Sequence, residues 1–277
     1  MIESQTLTPW LETAGALALA LLGVFVGWRS SKLPSPYWLM GYIAPLVLML
    51  VIALARRLPE LELKVPFSWL MSGRTEFAIY GMVCTMMLTT PLSRLPIRRQ
   101  RFVLSVGMAI FALTGSILVF LMPALNRGAL AKISTKVDRD GVCLQSTDYN
   151  CGPAAAVTAL GRLGFRGAEG ELAILAHTTP FAGTPPDSLC RALSERYASD
   201  GLECTLRYFH SMSELRDAGV VIALIKFGFL VDHFVTVFNF TDSEITLGDP
   251  MLGKRTLSVA EFEKVWKRVG VVLKKRH

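Results

Sequence analysis

Zinc and nucleotide signatures are both missing from this 277-residue chain. Its four histidines and five cysteines form no grouping with zinc-site spacing, and His177 and His210 stand apart from any such group. The run Gly248-Asp249-Pro250-Met251-Leu252-Gly253-Lys254 follows most of a phosphate-loop pattern. It then continues into Arg255, where Mg²⁺ coordination needs Ser or Thr, and it joins strand-like runs instead of opening a helix. No nucleotide, metal or other cofactor is expected. A cleavable signal peptide is not expected either. Met1 is followed by Glu3 in place of a basic n-region, and Arg29 and Lys32 follow the first apolar run in place of a small-residue cleavage site.

What the chain has in excess is apolar residues, 52% with a positive mean hydropathy, and nearly all of that excess lies before residue 125. A membrane span needs about 20 mostly apolar residues. Four stretches reach or approach this: 10–28, 37–55, 77–92 and 102–122. The third is short and bears threonines. Trp10, Trp28, Tyr37 and Trp38 fall at span ends, where amphipathic rings favour the interface. Residues 1–125 are therefore expected to be a transmembrane region of four helices in contact with membrane lipid, with both chain ends on the same side. Arg29 and Lys32, and then Arg94, Arg98, Arg99 and Arg101, lie in two short loops, whereas the amino-terminal tail has no basic residue. Positive-inside reasoning puts these loops in the cytoplasm and everything after the fourth span outside it. Arg56, Arg57, Lys64 and Arg74 in the middle loop count against that orientation. The expectation is a multi-pass protein of the inner, or cytoplasmic, membrane with an extracytoplasmic carboxyl-terminal domain. The net charge of +7 sits largely on these flanks and on the basic tail, so it reads as topology and surface, with no nucleic-acid partner expected.

Residues 126–140 turn polar and charged, with Lys132, Lys136, Asp138, Arg139 and Asp140, and read as a linker. From 141 to 277 the pattern is that of an α+β domain. Helical patterns at 151–163, 169–176 and 186–198 come first. Strand-like runs follow at 203–209, 220–227, 232–240, 244–248 and 269–273, with short helices at 213–218 and 258–267.

One stretch of that domain combines chemistry with placement. In 145–164 an Ala-rich helix has Pro153 just inside its start and Gly164 just past its end, and Cys151 occupies its opening turn. The free N–H groups and dipole of a first helical turn stabilise a thiolate, which makes Cys151 a candidate nucleophile. A nucleophilic thiol needs a base, and the base needs an orienting partner. His233 sits in one strand-like run and Asp249 ends the next, so antiparallel pairing would bring them side by side. Asp232 is the competing acid, but adjacent strand residues point to opposite faces. Gln145, six positions before Cys151, is placed to set its amide beside the Cys151 N–H as a second oxyanion donor.

The segments Gln145…Asn150-Cys151-Gly152-Pro153-Ala154-Ala155, His233-Phe234-Val235, Gly248-Asp249-Pro250…Gly253, and Leu257-Ser258…Glu261-Phe262…Trp266 resemble family thirty-nine of the cysteine peptidases. These are papain-like enzymes known for removing double-glycine leaders from bacteriocin precursors. The resemblance covers roughly 141–274. It implies a papain-like cysteine peptidase domain in which Cys151 is nucleophile, His233 base, Asp249 orienter and Gln145 oxyanion donor. It further implies a peptide or protein substrate with small residues such as Gly-Gly before the scissile bond, and a separate transporter as partner. Asn150 departs from the family, which usually has Asp there; a changed local contact is expected, with the chemistry retained. Familiar members are fused to a transporter with an ATPase. Here the spans precede the domain and no ATPase follows, so cleavage coupled to export within one polypeptide is not expected. Two other readings of the same residues are a non-catalytic membrane-tethered peptide-binding module and an acyl transferase using the same thiol.

Of the remaining cysteines, Cys84 falls in a span and reads as packing. Outside the cytoplasm, two of Cys143, Cys190 and Cys204 could pair, and Cys190 with Cys204 is the expected disulfide.

Overall fold

The computed structural model describes the backbone of residues 2–56, 58, 60, 64, 67, 75–228 and 231–276, and their side chains apart from 2–9, 56, 113 and 116. The charges on Arg57 and Arg74 and the terminal His277 lie outside the described residues. The chain divides into two compact units, Met1–Leu125 and Asn126–His277.

The first unit is helical. Its elements are α1 (Ile2–Ser31), α2 (Met40–Arg56), α3 (Thr75–Thr89) and α4 (Arg98–Phe111), followed by a π-helical segment (Ala112–Ile117) and the start of α5 (Leu118–Leu130). Among the described residues two helical stretches are long and apolar enough to cross a membrane, Trp10–Ser31 with 22 residues and Tyr37–Ala55 with 19. The third expected stretch forms a 15-residue helix. The fourth is one helical run from 98 to 130 in which π-type bonding, a local widening of the turn, replaces the α pattern at its middle.

Close approach of backbones defines the packing of α1 on α3. Gly23 and Gly27 lie one turn apart, and a Cβ on either would strike the carbonyl oxygen of Met82 or Met86, respectively. Small residues at this four-residue spacing let two helices meet without side chains between them. Ala16 and Ala20 are buried on the same helix, and Thr85 Oγ1 donates to the Ala20 carbonyl at 2.9 Å.

The second unit continues α5 to Leu130 and adds a small hairpin, β1 (Lys136–Val137) with β2 (Cys143–Leu144). The stretch expected as a linker thus carries a helix end and a strand. Three helices follow, α6 (Cys151–Arg162), α7 (Glu169–Leu175) and α8 (Pro186–Tyr197). The rest is β3 (Leu202–Tyr208), α9 (Met212–Asp217), β4 (Val220–Gly228), β5 (Val231–Phe240), β6 (Glu244–Asp249), β7 (Gly253–Ser258), α10 (Val259–Val265) and β8 (Trp266–Lys275). The six strands from β3 to β8 form one antiparallel sheet in the order β3-β8-β4-β5-β6-β7. The short helix expected over 258–267 ends at Val265, because Trp266 opens β8.

Strand alternation divides the apolar residues between the two faces of the sheet. Ile222, Leu224, Phe234, Val271 and Leu273 pack with Ala155, Leu160, Leu189 and Leu193 of the first helices. Val221, Ala223, Val235, Val237 and Leu247 join Phe209, Phe262 and Trp266 on the other side. With both faces covered, the central strand β4 reads as an unbroken buried run from Val221 to Ile225.

Two hydrogen bonds fasten α6 to the β framework. Thr236 Oγ1 of β5 donates to the Ala155 carbonyl at 2.7 Å, and the Cys143 N–H donates to Thr158 Oγ1 at 2.9 Å. Gly248 permits the close seating of β6, since a Cβ there would lie 2.9 Å from Thr158 Cγ2 and 3.1 Å from Phe238 Cε1. Cys190 and Cys204 are neighbours, as expected, with sulfurs 2.7 Å apart; both are free thiols and not a disulfide. Replacing Gly248 by Val should overfill this contact and cost about 1–3 kcal/mol of stability. Denaturant unfolding of the two proteins reads that difference directly.

Candidate active site

Cys151 stands at the first position of α6. Pro153 is compatible with the opening turn because its missing N–H would have no helical partner there. Past the other end, Gly164 adopts φ 80° and Phe165 N–H bonds back to the Leu160 carbonyl at 2.9 Å, which closes the helix. No side chain caps the Cys151 end: Asn150, a residue type that usually does so, makes no cap bond.

His233 and Asp249 come from adjacent antiparallel strands. Thr236 lies opposite Gly248 and Val237 opposite Leu247, so alternation puts His233 and Asp249 on one side of the sheet. His233 Nε2 and Asp249 Oδ1 are 2.9 Å apart, and both side chains are almost fully buried. The Cys151 thiol lies close enough to the same imidazole to favour its charged form. Asp232, by contrast, is exposed and pairs with Lys267 at 2.7 Å. Asp249 also accepts from Met251 N–H at 2.9 Å, and its second oxygen lies 3.6 Å from Arg255.

These contacts set the protonation of the pair. Burial alone would disfavour the charged imidazole. The hydrogen bond to Asp249, the nearby Cys151 thiol and the negative charge of both groups outweigh that cost and raise the His233 pKa from 6.5 to about 9. For Asp249, burial pushes upward, but the bonds from His233 and Met251 N–H and the charges of His233 and Arg255 hold it below its ordinary value. The neighbouring Cys143 thiol is pushed up to about 12, chiefly by burial and by the charge of Glu169. It is a structural thiol at neutral pH.

Gln145 leads the loop into α6. Its backbone N–H donates to the Pro250 carbonyl at 2.9 Å, which ties this loop to the turn after Asp249. One side-chain N–H donates to the Thr147 carbonyl at 2.9 Å, while Oε1 is buried with no protein partner. Sequence reasoning missed three residues here. Glu169 is fully buried and accepts three hydrogen bonds from Ser146 and Asn150. Phe227 sets its ring 5.3 Å from that of His233, and Arg255 faces Asp249. A polar loop running into an apolar helix was the one hint that a partner such as Glu169 must exist. Among the described residues no cluster of His, Cys, Asp and Glu could hold a metal ion.

Residues 139–277 match the model of the Peptidase C39 family. The chain belongs to this family. Its C39 domain is similar to an uncharacterized protein of Methanothermobacter thermautotrophicus, 30% identical over 134 residues that make up 48% of this chain and 88% of the relative. A second uncharacterized protein, from Methanothermobacter marburgensis, is 33% identical over 122 residues, 44% of this chain and 80% of that one. Among solved structures, the C39 domain is similar to a double glycine motif protease from an AMS/PCAT transporter in complex with the leader peptide. The identity there is 19%, covering 52% of this chain and 96% of that one, with a TM-score of 0.42. It is also similar to the peptidase domain of Streptococcus ComA, a bi-functional ABC transporter involved in a quorum sensing pathway. In that case the identity is 20%, the coverage 48% and 96%, and the TM-score 0.41.

The raised His233 pKa makes the C39 domain sensitive to alkali. Because the folded value lies above the ordinary 6.5, the charged pair with Asp249 contributes stability that is complete below about 6.5 and is lost as pH rises through about 9. The difference in thermal stability between the wild type and His233→Ala should shrink over that interval. A difference constant across it would contradict the assignment.

Proposed function

We propose that this chain is a membrane-anchored cysteine peptidase. The observation that carries the reading is the buried imidazole that is bonded to the Asp249 carboxylate and lies within electrostatic reach of the Cys151 thiol. With Nε2–H donated to Asp249, Nδ1 faces the sulfur and takes its proton. The Cys151 thiolate attacks a peptide carbonyl, and the developing oxyanion accepts from the Cys151 N–H and from the Gln145 side-chain N–H that Thr147 leaves free. As the C–N bond breaks, His233 returns its proton to the leaving amine. Water then attacks the thioester, with His233 again accepting the proton, and frees the acid and the thiol.

The substrate in this reading is a peptide or protein with small residues, such as Gly-Gly, before the scissile bond. The family supports it, and the leader peptide bound by one similar protein supports it further. Residues 1–125 act as the anchor, with four spans, 126–140 as the lead-in and 141–277 as the peptidase domain. Two helices of spanning length and the exposed Leu21 and Phe25 on α1 and Leu46, Val47 and Leu50 on α2 support the anchor, since such a surface favours lipid over water. The domain faces the outside of the cytoplasmic membrane and acts on cargo of a separate transporter.

Cys151→Ala should lower cleavage of a fluorogenic Gly-Gly amide by at least about 10⁴-fold while leaving the melting temperature of the full chain unchanged. Retained turnover would refute the mechanism. A compartment-specific reporter fused after His277 should be active only outside the cytoplasm; activity inside would reverse the orientation.

A further inference from the structure

A carboxylate removed from water is costly unless donors surround it. Glu169 is fully buried, and no Lys or Arg pairs with it among the described residues. Three donors serve it instead, and all three belong to the loop that runs into the nucleophile helix. Ser146 N–H and Asn150 Nδ2 donate to Oε1 at 2.8 and 3.2 Å, and Ser146 Oγ donates to Oε2 at 2.7 Å. The acceptor is itself anchored: Glu169 N–H donates to Thr135 Oγ1 at 2.9 Å, and Gly170 leaves no room for a Cβ against the Leu130 carbonyl.

The consequence falls on Asn150. Left to itself, an Asn before a helix folds its side chain back onto the N–H groups of the first turn. In this chain its amide is drawn to Glu169, its Oδ1 is buried with no partner, and the turn remains uncapped. Pro153 has no N–H, so such a cap would fall on Gly152, directly beside the Cys151 N–H that an oxyanion would use. The same carboxylate fixes Ser146, the residue after Gln145, from both its backbone and its side chain.

We propose that Glu169 is a positioning residue for the oxyanion site. It holds the 145–150 loop so that the Gln145 amide and the Cys151 N–H converge on one point, and it draws the Asn150 side chain away from the N–H groups beside that point. The inference rests on the peptidase reading and extends it to a residue 18 positions beyond the nucleophile.

Two reactions of the same thiol separate positioning from folding. Acylation by 4-nitrophenyl acetate passes through a tetrahedral oxyanion, whereas alkylation by iodoacetamide does not. In the full-length protein in detergent, Glu169→Ala and Asn150→Asp should slow acylation of Cys151 by about tenfold or more, with His233-dependent alkylation within about threefold of wild type. Asn150→Asp sets two carboxylates against each other. The double variant Asn150→Asp/Glu169→Gln restores an acceptor facing a donor and should recover most of the lost rate. Wild-type acylation in Glu169→Ala would overturn the proposal. If that variant loses both reactions together, the reciprocal pair decides, and absence of recovery in the double variant overturns it. A wild-type chain that is not acylated, or is alkylated equally without His233, refutes the peptidase reading instead.

Discussion

The hydrogen bond between His233 and Asp249 is the constraint around which the C39 domain is arranged. Both groups are out of water, and neither is tolerable there alone. Their 2.9 Å separation requires β5 and β6 to be neighbours in one register, since a one-residue slip would send one of the two side chains to the opposite face. The rest of the sheet secures that register. β4 and β8 on one side and β7 on the other hold the two strands, and Gly248 lets β6 approach α6. The Thr236 bond to Ala155 then fixes α6, and with it Cys151, against the strand that carries His233.

A second polar assembly borders α6 on its amino-terminal side. Ser146 and Asn150 of the loop before α6 bind Glu169 at the start of α7, and the Gln145 N–H reaches across to the Pro250 carbonyl in the turn that ends the Asp249 strand. Cys151 thus stands between two supports, one built on strands and one on a loop and helix. Each is held by hydrogen bonds as well as by apolar packing. Buried polar groups arranged in this way favour one geometry over near neighbours, because a small displacement leaves a donor or an acceptor unmet.

Much of this was legible in the sequence, and the pattern of what was not is informative. Cys151, His233 and Asp249 declare themselves because each sits at a recognisable place, a helix start, a β-branched run and a strand-ending Asp-Pro turn. Glu169 gives no local sign. Its partners lie 19 and 23 residues earlier, and in sequence it is one more acidic residue opening a helix. β7 was implied only as what the 248–254 run leads into and had no bounds, because an edge strand with Lys254, Arg255 and Thr256 exposed lacks the apolar alternation by which strands are read. Arg255, which broke the resemblance to a phosphate loop, lies beside Asp249 and helps keep it ionised. In the apolar half, composition indicated four stretches. It did not indicate the π segment dividing the last of them, which depends on bonding geometry and not on hydropathy.

The order of the sheet leaves β3 and β7 with one open side each, and an open side is a template on which another copy could add strands. Both carry charge. Glu203 pairs with Arg276 and Arg207 with Glu214 along β3, and Lys254 pairs with Asp140 along β7. A second sheet arriving at either rim would have to strip water from these ions and break their pairings. The domain therefore carries its own guard against polymerising through its edges.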